Sequence, residues 1–127
     1  MTTRHDRHYT LDEARAELQW ATGQLAAMRD ARDRLTDAQA HEALTERSRG
    51  NGGGQPGRQV GEAFVELQAG LQAFDDRGIV LRDLVRGLID FPAFRGEREV
   101  YLCWVDGEAD IEFWHDLDAG YAGRQPL

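Results

Sequence analysis

The chain has 127 residues, 41% hydrophobic and 30% charged, with a net charge of −8, which suits one ordinary globular domain spanning residues 1–127 and excludes wholesale disorder. All 15 basic residues are arginine, so a Schiff base, a lysine-held pyridoxal cofactor and a P-loop lysine are excluded. The only serine, Ser48, lacks the Gly-x-Ser-x-Gly setting of a serine hydrolase, and the lone cysteine, Cys103, cannot form an intrachain disulfide.

The acidic excess is confined to the second half. Residues 1–59 hold nine acidic side chains and nine arginines, and residues 60–127 hold fourteen and six. Such a surface repels phosphate backbones and anionic lipid, so neither a nucleic-acid partner nor a membrane partner is expected. The polar stretch Met1–His8 carries no apolar core of a secretory signal and reads as a frayed end. With the unpaired cysteine, it leads to the expectation of a cytoplasmic protein.

Thr10 and Glu13 open the first element as a capping box. Leu11, Ala14, Leu18, Ala21, Leu25, Met28 and Leu35 then recur at 3- and 4-residue steps, which predicts a long amphipathic helix. Arg32 interrupts that stripe, and Thr36 with Gln39 offers a second cap, so residues 37–47 are expected as a short separate helix or a bent continuation of the first. Five glycines and a proline between Ser48 and Arg58 predict a flexible loop, without the strand or lysine of a phosphate-binding loop. Val60, Phe64, Leu67, Leu71 and Phe74 mark a second long helix that stops at Gly78.

Beyond Gly78 the pattern becomes strand-like: Ile79–Leu81, Leu88–Phe91 closed by Pro92, Glu99–Val105, and Ile111–His115. Helices followed by strands define an α+β class, a helical hairpin (long, short and long helix) on a mainly antiparallel sheet of three or four strands. The last two strands are expected to pair about Asp106-Gly107, setting Val105 against Ile111, Cys103 against Phe113 and Tyr101 against His115. The opposite side then carries Val100, Leu102, Trp104, Glu112 and Trp114. Both faces are largely apolar, whereas a sheet with one solvated face alternates. The hairpin of helices covers one face; a partner subunit, the C-terminal tail or a ligand covers the other.

Several segments resemble the domain-of-unknown-function 2203 family. They are Tyr9–Ala14, Gly87-Leu-Ile-Asp-Phe-Pro92, Val100–Trp104 with Gly107-Glu108, and Trp114-His115-Asp116 followed by Asp118, Gly120-Tyr121 and Gly123-Arg124. The resemblance covers nearly the whole chain and implies the domain boundaries. It implies no activity.

Eight acidic residues lie between Glu97 and Asp118, with His115 among them. A carboxylate–imidazole mixture admits a divalent metal, although Ile111 and Leu117 stand where a calcium-binding EF-hand needs glycine and glutamate. The candidate metal set is Asp90, His115, Asp116 and Asp118. Trp104, Trp114 and Arg124 are candidates for holding a small-molecule ligand, Arg124 through its two-pronged guanidinium. Cys103 reads as a small buried hydrophobe, with a nucleophilic pairing to His115 as the lesser alternative. Two functions follow: a non-enzymatic binding or assembly module that forms a homo-oligomer, a dimer before other states, or a metal- or ligand-processing protein built on the Asp90 and His115 set.

Overall fold

In the computed structural model, which describes residues 2–49 and 55–127, the capping box forms as its sequence dictates. Thr10 Oγ1 accepts the Glu13 N–H at 3.1 Å and Glu13 Oε1 accepts the Thr10 N–H at 2.8 Å, satisfying two end donors of helix α1 (Leu11–Ala16). At Glu17 the helix tightens for one residue, its N–H reaching the Ala14 carbonyl at 3.0 Å while its φ and ψ stay helical. Helix α2 (Leu18–Arg49) then runs 32 residues without a break. The order is therefore short, long, long, and no new helix begins at Thr36. The apolar stripe continues past Arg32 in Ala31 and Ala38, both buried, whose small side chains give a weak sequence signal but a full helical face.

Helix α3 (Gln55–Arg77) returns antiparallel to α2, as Trp20 on Phe74, Met28 on Gly70 and the Arg34–Glu66 ion pair show. Gly70 permits the close approach, because a Cβ there would lie 2.5 Å from Met28 Cγ. Residues 50–54 of the expected glycine-rich loop lie outside the described residues. Gly78 ends α3 with φ +70°, and the Ile79 N–H closes on the Phe74 carbonyl at 3.1 Å.

The sheet has five antiparallel strands in chain order: β1 (Val80–Asp83), β2 (Leu88–Arg95), β3 (Arg98–Val105), β4 (Phe113–Asp116) and β5 (Gln125–Pro126). The count exceeds the expected three or four because β5 is two residues long and contains a proline, too little to register as a strand in sequence. Strand β2 also runs through Pro92 instead of stopping there. Its ladder to β1 has ended at Asp90, and the Pro92 carbonyl points to the outer edge, where it accepts the Tyr9 N–H at 2.7 Å. The missing proline N–H falls on that same edge, so the ladder to β3 loses nothing.

Between β3 and β4 Cys103 lies opposite Phe113 and Tyr101 opposite His115 as expected, but the ladder ends there, β4 beginning at Phe113, and Val105 and Ile111 are not paired. Helices α1 to α3 cover the face bearing Ile89, Phe91, Ala93, Val100, Leu102, Trp104 and Trp114, which form one core with Ala14, Ala21, Leu25, Met28 and Phe74. No described helix is long and apolar enough to cross a membrane.

Candidate functional site

The opposite face is where polar chemistry is buried. Strand alternation turns every second residue of β2, β3 and β4 away from the helices, and the register sets Asp90 opposite Cys103, with Pro92, Tyr101 and His115 in the next row. His115 is thus diagonal to Cys103 and reaches across β3 to Asp90, Nε2 to Oδ1 at 3.0 Å. Exposure is 2% for Asp90, 0% for Cys103 and 1% for His115. One ligand atom from each, Asp90 carboxylate oxygen, Cys103 sulfur and His115 nitrogen, lies within 4.8 Å of the others.

The hydrogen bonds fix the proton count. His115 Nδ1 sits 2.7 Å from the Asp116 carbonyl, which only accepts, so Nδ1 carries a hydrogen. Nε2 and Asp90 Oδ1 therefore share one further proton. Arg82 Nε donates to the other oxygen, Oδ2, at 2.9 Å, so both oxygens of the buried carboxyl group are held. Burial, aided by the charge of Asp90, pushes the Cys103 thiol up to about 12. The Arg124 guanidinium at 3.9 Å from Sγ pulls the other way without overcoming it. The thiol is a thiol at neutral pH, which sets aside a nucleophilic role in the metal-free state.

Three covers lie over this face. Arg82 from β1 lies 4.9 Å over the Tyr101 ring. Arg124 lies 4.0 Å over Phe113 and grips Glu108 at 2.8 and 3.1 Å. From the N-terminus, His5 Nε2 meets the Tyr101 hydroxyl at 2.6 Å, and Glu99 accepts the Arg4 and His5 N–H groups at 2.7 and 3.1 Å and the His8 ring at 2.7 Å. Burial drives the Glu99 carboxyl up, but those three donors outweigh it and hold it at about 2. Burial likewise pushes the His5 imidazole below its ordinary value. The second cover that the two-sided apolar pattern requires comes from the chain itself, from Arg82 of β1, the N-terminal segment and Arg124.

Of the metal candidates, Asp90 and His115 meet, while Asp116 and Asp118 do not join them. The Asp116 side chain faces the other way by strand alternation. Its Oδ1 approaches Arg98 at 2.7 Å, a charge contact lacking hydrogen-bond geometry; only its backbone carbonyl serves His115. Asp118 is exposed and paired with Arg4 at 3.0 Å. Trp104 and Trp114 lie in the helix-facing core, Trp104 donating its indole N–H to the Glu108 carbonyl at 3.0 Å. They are on the opposite side of the sheet from Arg124. Cys103, Arg82 and the N-terminal segment are the neighbours that sequence reasoning left out of the set. The signal for Cys103 was available: a two-residue turn at Gly96-Glu97 pairs Arg95 with Arg98 and thereby sets Asp90 opposite Cys103.

Fold and site together define a small α+β domain with a polar triad buried on the sheet face away from its helices. The chain belongs to the family described as "Uncharacterized conserved protein (DUF2203)", whose model matches residues 7–127. Neither the curated proteins nor the solved structures contain a match.

Proposed function

We propose that the domain is an assembly module that pairs with a second copy of itself along helix α3. The observation that carries this reading is where the large apolar side chains of the helical arm lie. Beyond Met28 and Leu67, the apolar residues that are fully buried between α2 and α3, among those described, are Ala31, Ala38 and Ala63, with Leu35 half-buried. Phe64, Val65 and Leu71 of α3 are 51%, 62% and 54% exposed. Phe64 and Leu71 are one heptad apart, so they lie within about 20° on the helix and about 10 Å along it. With the half-buried Val60 and Leu67 they make a continuous apolar shoulder. Two such shoulders brought together by a two-fold axis convert two alanine-packed helix pairs into a four-helix bundle with a real core.

Light scattering coupled to size exclusion tests this directly. The expected mass is twice that of the chain, and the double change Phe64→Glu with Leu71→Glu is expected to return a monomer of unchanged helical circular dichroism. A wild-type protein that remains monomeric at tens of micromolar overturns the proposal.

A further inference from the structure

The buried triad is chemically over-equipped for a structural role. A salt-bridged Asp–His pair in a sheet interior is a poor stabiliser, because desolvation offsets its attraction. Here it also sits beside a sulfur that a guanidinium approaches at 3.9 Å. Three donor types, carboxylate, imidazole and thiol, converge, which is the mixture that borderline-soft divalent ions select.

We propose that Asp90 Oδ1, Cys103 Sγ and His115 Nε2 form a binding site for one divalent ion of the zinc type, with a fourth position left to water or a small ligand atom. The geometry is close to what such an ion needs. With bonds of about 2.0 Å to nitrogen and oxygen and about 2.3 Å to sulfur, a tetrahedral centre sets nitrogen and oxygen about 3.3 Å apart and nitrogen and sulfur about 3.5 Å apart. The observed Nε2 to Oδ1 separation is 3.0 Å, so that pair opens by a few tenths of an ångström. The sulfur, within 4.8 Å of both, closes by about 1.3 Å at most, a change to be shared among small movements of the three side chains.

The surroundings are already arranged as outer support. Ligating histidines commonly donate their second ring N–H to a carbonyl or carboxylate; His115 Nδ1 does so to the Asp116 carbonyl, which aims Nε2 into the site. Arg82 holds Oδ2 of Asp90 and leaves Oδ1 to the ion. Arg124 reaches the sulfur while its own charge is neutralised by Glu108. The two guanidiniums beside the site are each paired with a carboxylate, Arg82 with Asp90 at 2.9 Å and Arg124 with Glu108 at 2.8 Å, so neither stands as an unpaired charge against an incoming cation.

Cobalt(II) is the probe, since a cobalt thiolate absorbs in the near ultraviolet and a four-coordinate cobalt in the visible. Titration of chelator-treated full-length protein is expected to saturate at one equivalent per chain with both bands, and zinc is expected to displace the cobalt. Cys103→Ala is expected to abolish the near-ultraviolet band, while Asp116→Asn and Asp118→Asn leave the titration unchanged. Wild-type protein that binds no stoichiometric cobalt, or binds it without the thiolate band, overturns the proposal whatever the variants do. A thiolate band that survives Cys103→Ala overturns it as well. Light scattering reads the assembly proposal separately, so failure of one leaves the other standing.

Discussion

Glu99 is the residue whose removal the structure prices most clearly. Its carboxylate takes the Arg4 N–H, the His5 N–H and the His8 ring, which hold it at about 2 against an ordinary value of 4.5, even though burial, the largest single influence, acts in the opposite direction. A carboxyl depressed in the fold stabilises the protein above its unfolded pKa, and that stability drains away as pH falls through the folded value. A difference of about 2.5 units is worth about 3 kcal/mol at neutral pH as a ceiling. The side chain is covered but lies at the surface of the fold, so solvent screening lowers that ceiling. The segment it anchors is also a chain end and can detach before the sheet unfolds, which reduces the global cost to about 1–2 kcal/mol.

Glu99→Gln is therefore expected to lower the urea-unfolding free energy by about 1–2 kcal/mol at pH 7, followed by tryptophan fluorescence. The gap between wild type and variant is expected to hold down to about pH 5 and to shrink steadily from about 4.5 towards 2. Amide exchange at Arg4 and His5 is expected to quicken in the variant. A gap below about 0.3 kcal/mol at pH 7, or one that does not change with pH, would refute the reasoning.

Gly87 adopts φ +70°, and a Cβ there would meet Arg29 Nη2 and lie 2.5 Å from Asp106 Cβ. Gly87→Ala is therefore expected to cost about 2–4 kcal/mol in a denaturant titration, and a cost under 1 kcal/mol would show that the turn relaxes freely. Cys103, buried and held near 12, is expected to resist iodoacetamide at pH 8 in the native protein and to react once urea unfolds it; native reactivity within tenfold of the unfolded rate would contradict that.

The sequence was most readable where one physical signal acted alone. Thr10 with Glu13, and Gly78 after α3, each sit at a helix end where a local hydrogen-bond deficit dictates the residue, and both caps form. The Asp106-Gly107 turn forms, the Glu108 N–H closing on the Val105 carbonyl at 2.9 Å, and the apolar alternation of the two strands agrees with the pairing of Tyr101 with His115. Legibility failed where two signals competed. Arg32 looked like an interruption because alanine hides the stripe that passes it, and Thr36 with Gln39 imitated a cap inside a helix whose partner is α3. Pro92 looked like a strand end because its effect depends on which edge of β2 it faces, and that is decided by where β1 stops. The site suffered for the same reason: with β2 cut short at Phe91, the turn at Gly96-Glu97 had no strand to register, and Cys103 was not set against Asp90.

The apolar character of both sheet faces carries the strongest argument about what the outer face is for. A sheet with helices on one side needs only polar side chains on the other, and this chain, rich in arginine and acid, has them in supply. Instead, Arg82, Arg124, His5 and the Glu99 clamp close over Tyr101, Cys103 and His115. The cost of that cover is the ordering of both chain ends, and what it encloses beyond apolar surface is an Asp–His pair that apolar residues of similar volume would match or better in stability. Replacing Asp90 and His115 together by Leu and Phe therefore separates the two explanations. If the pair exists for stability, the double variant unfolds at lower denaturant than the parent. If it exists to hold an ion, the double variant is equally stable and no longer binds cobalt, so stability and binding part company at this pair.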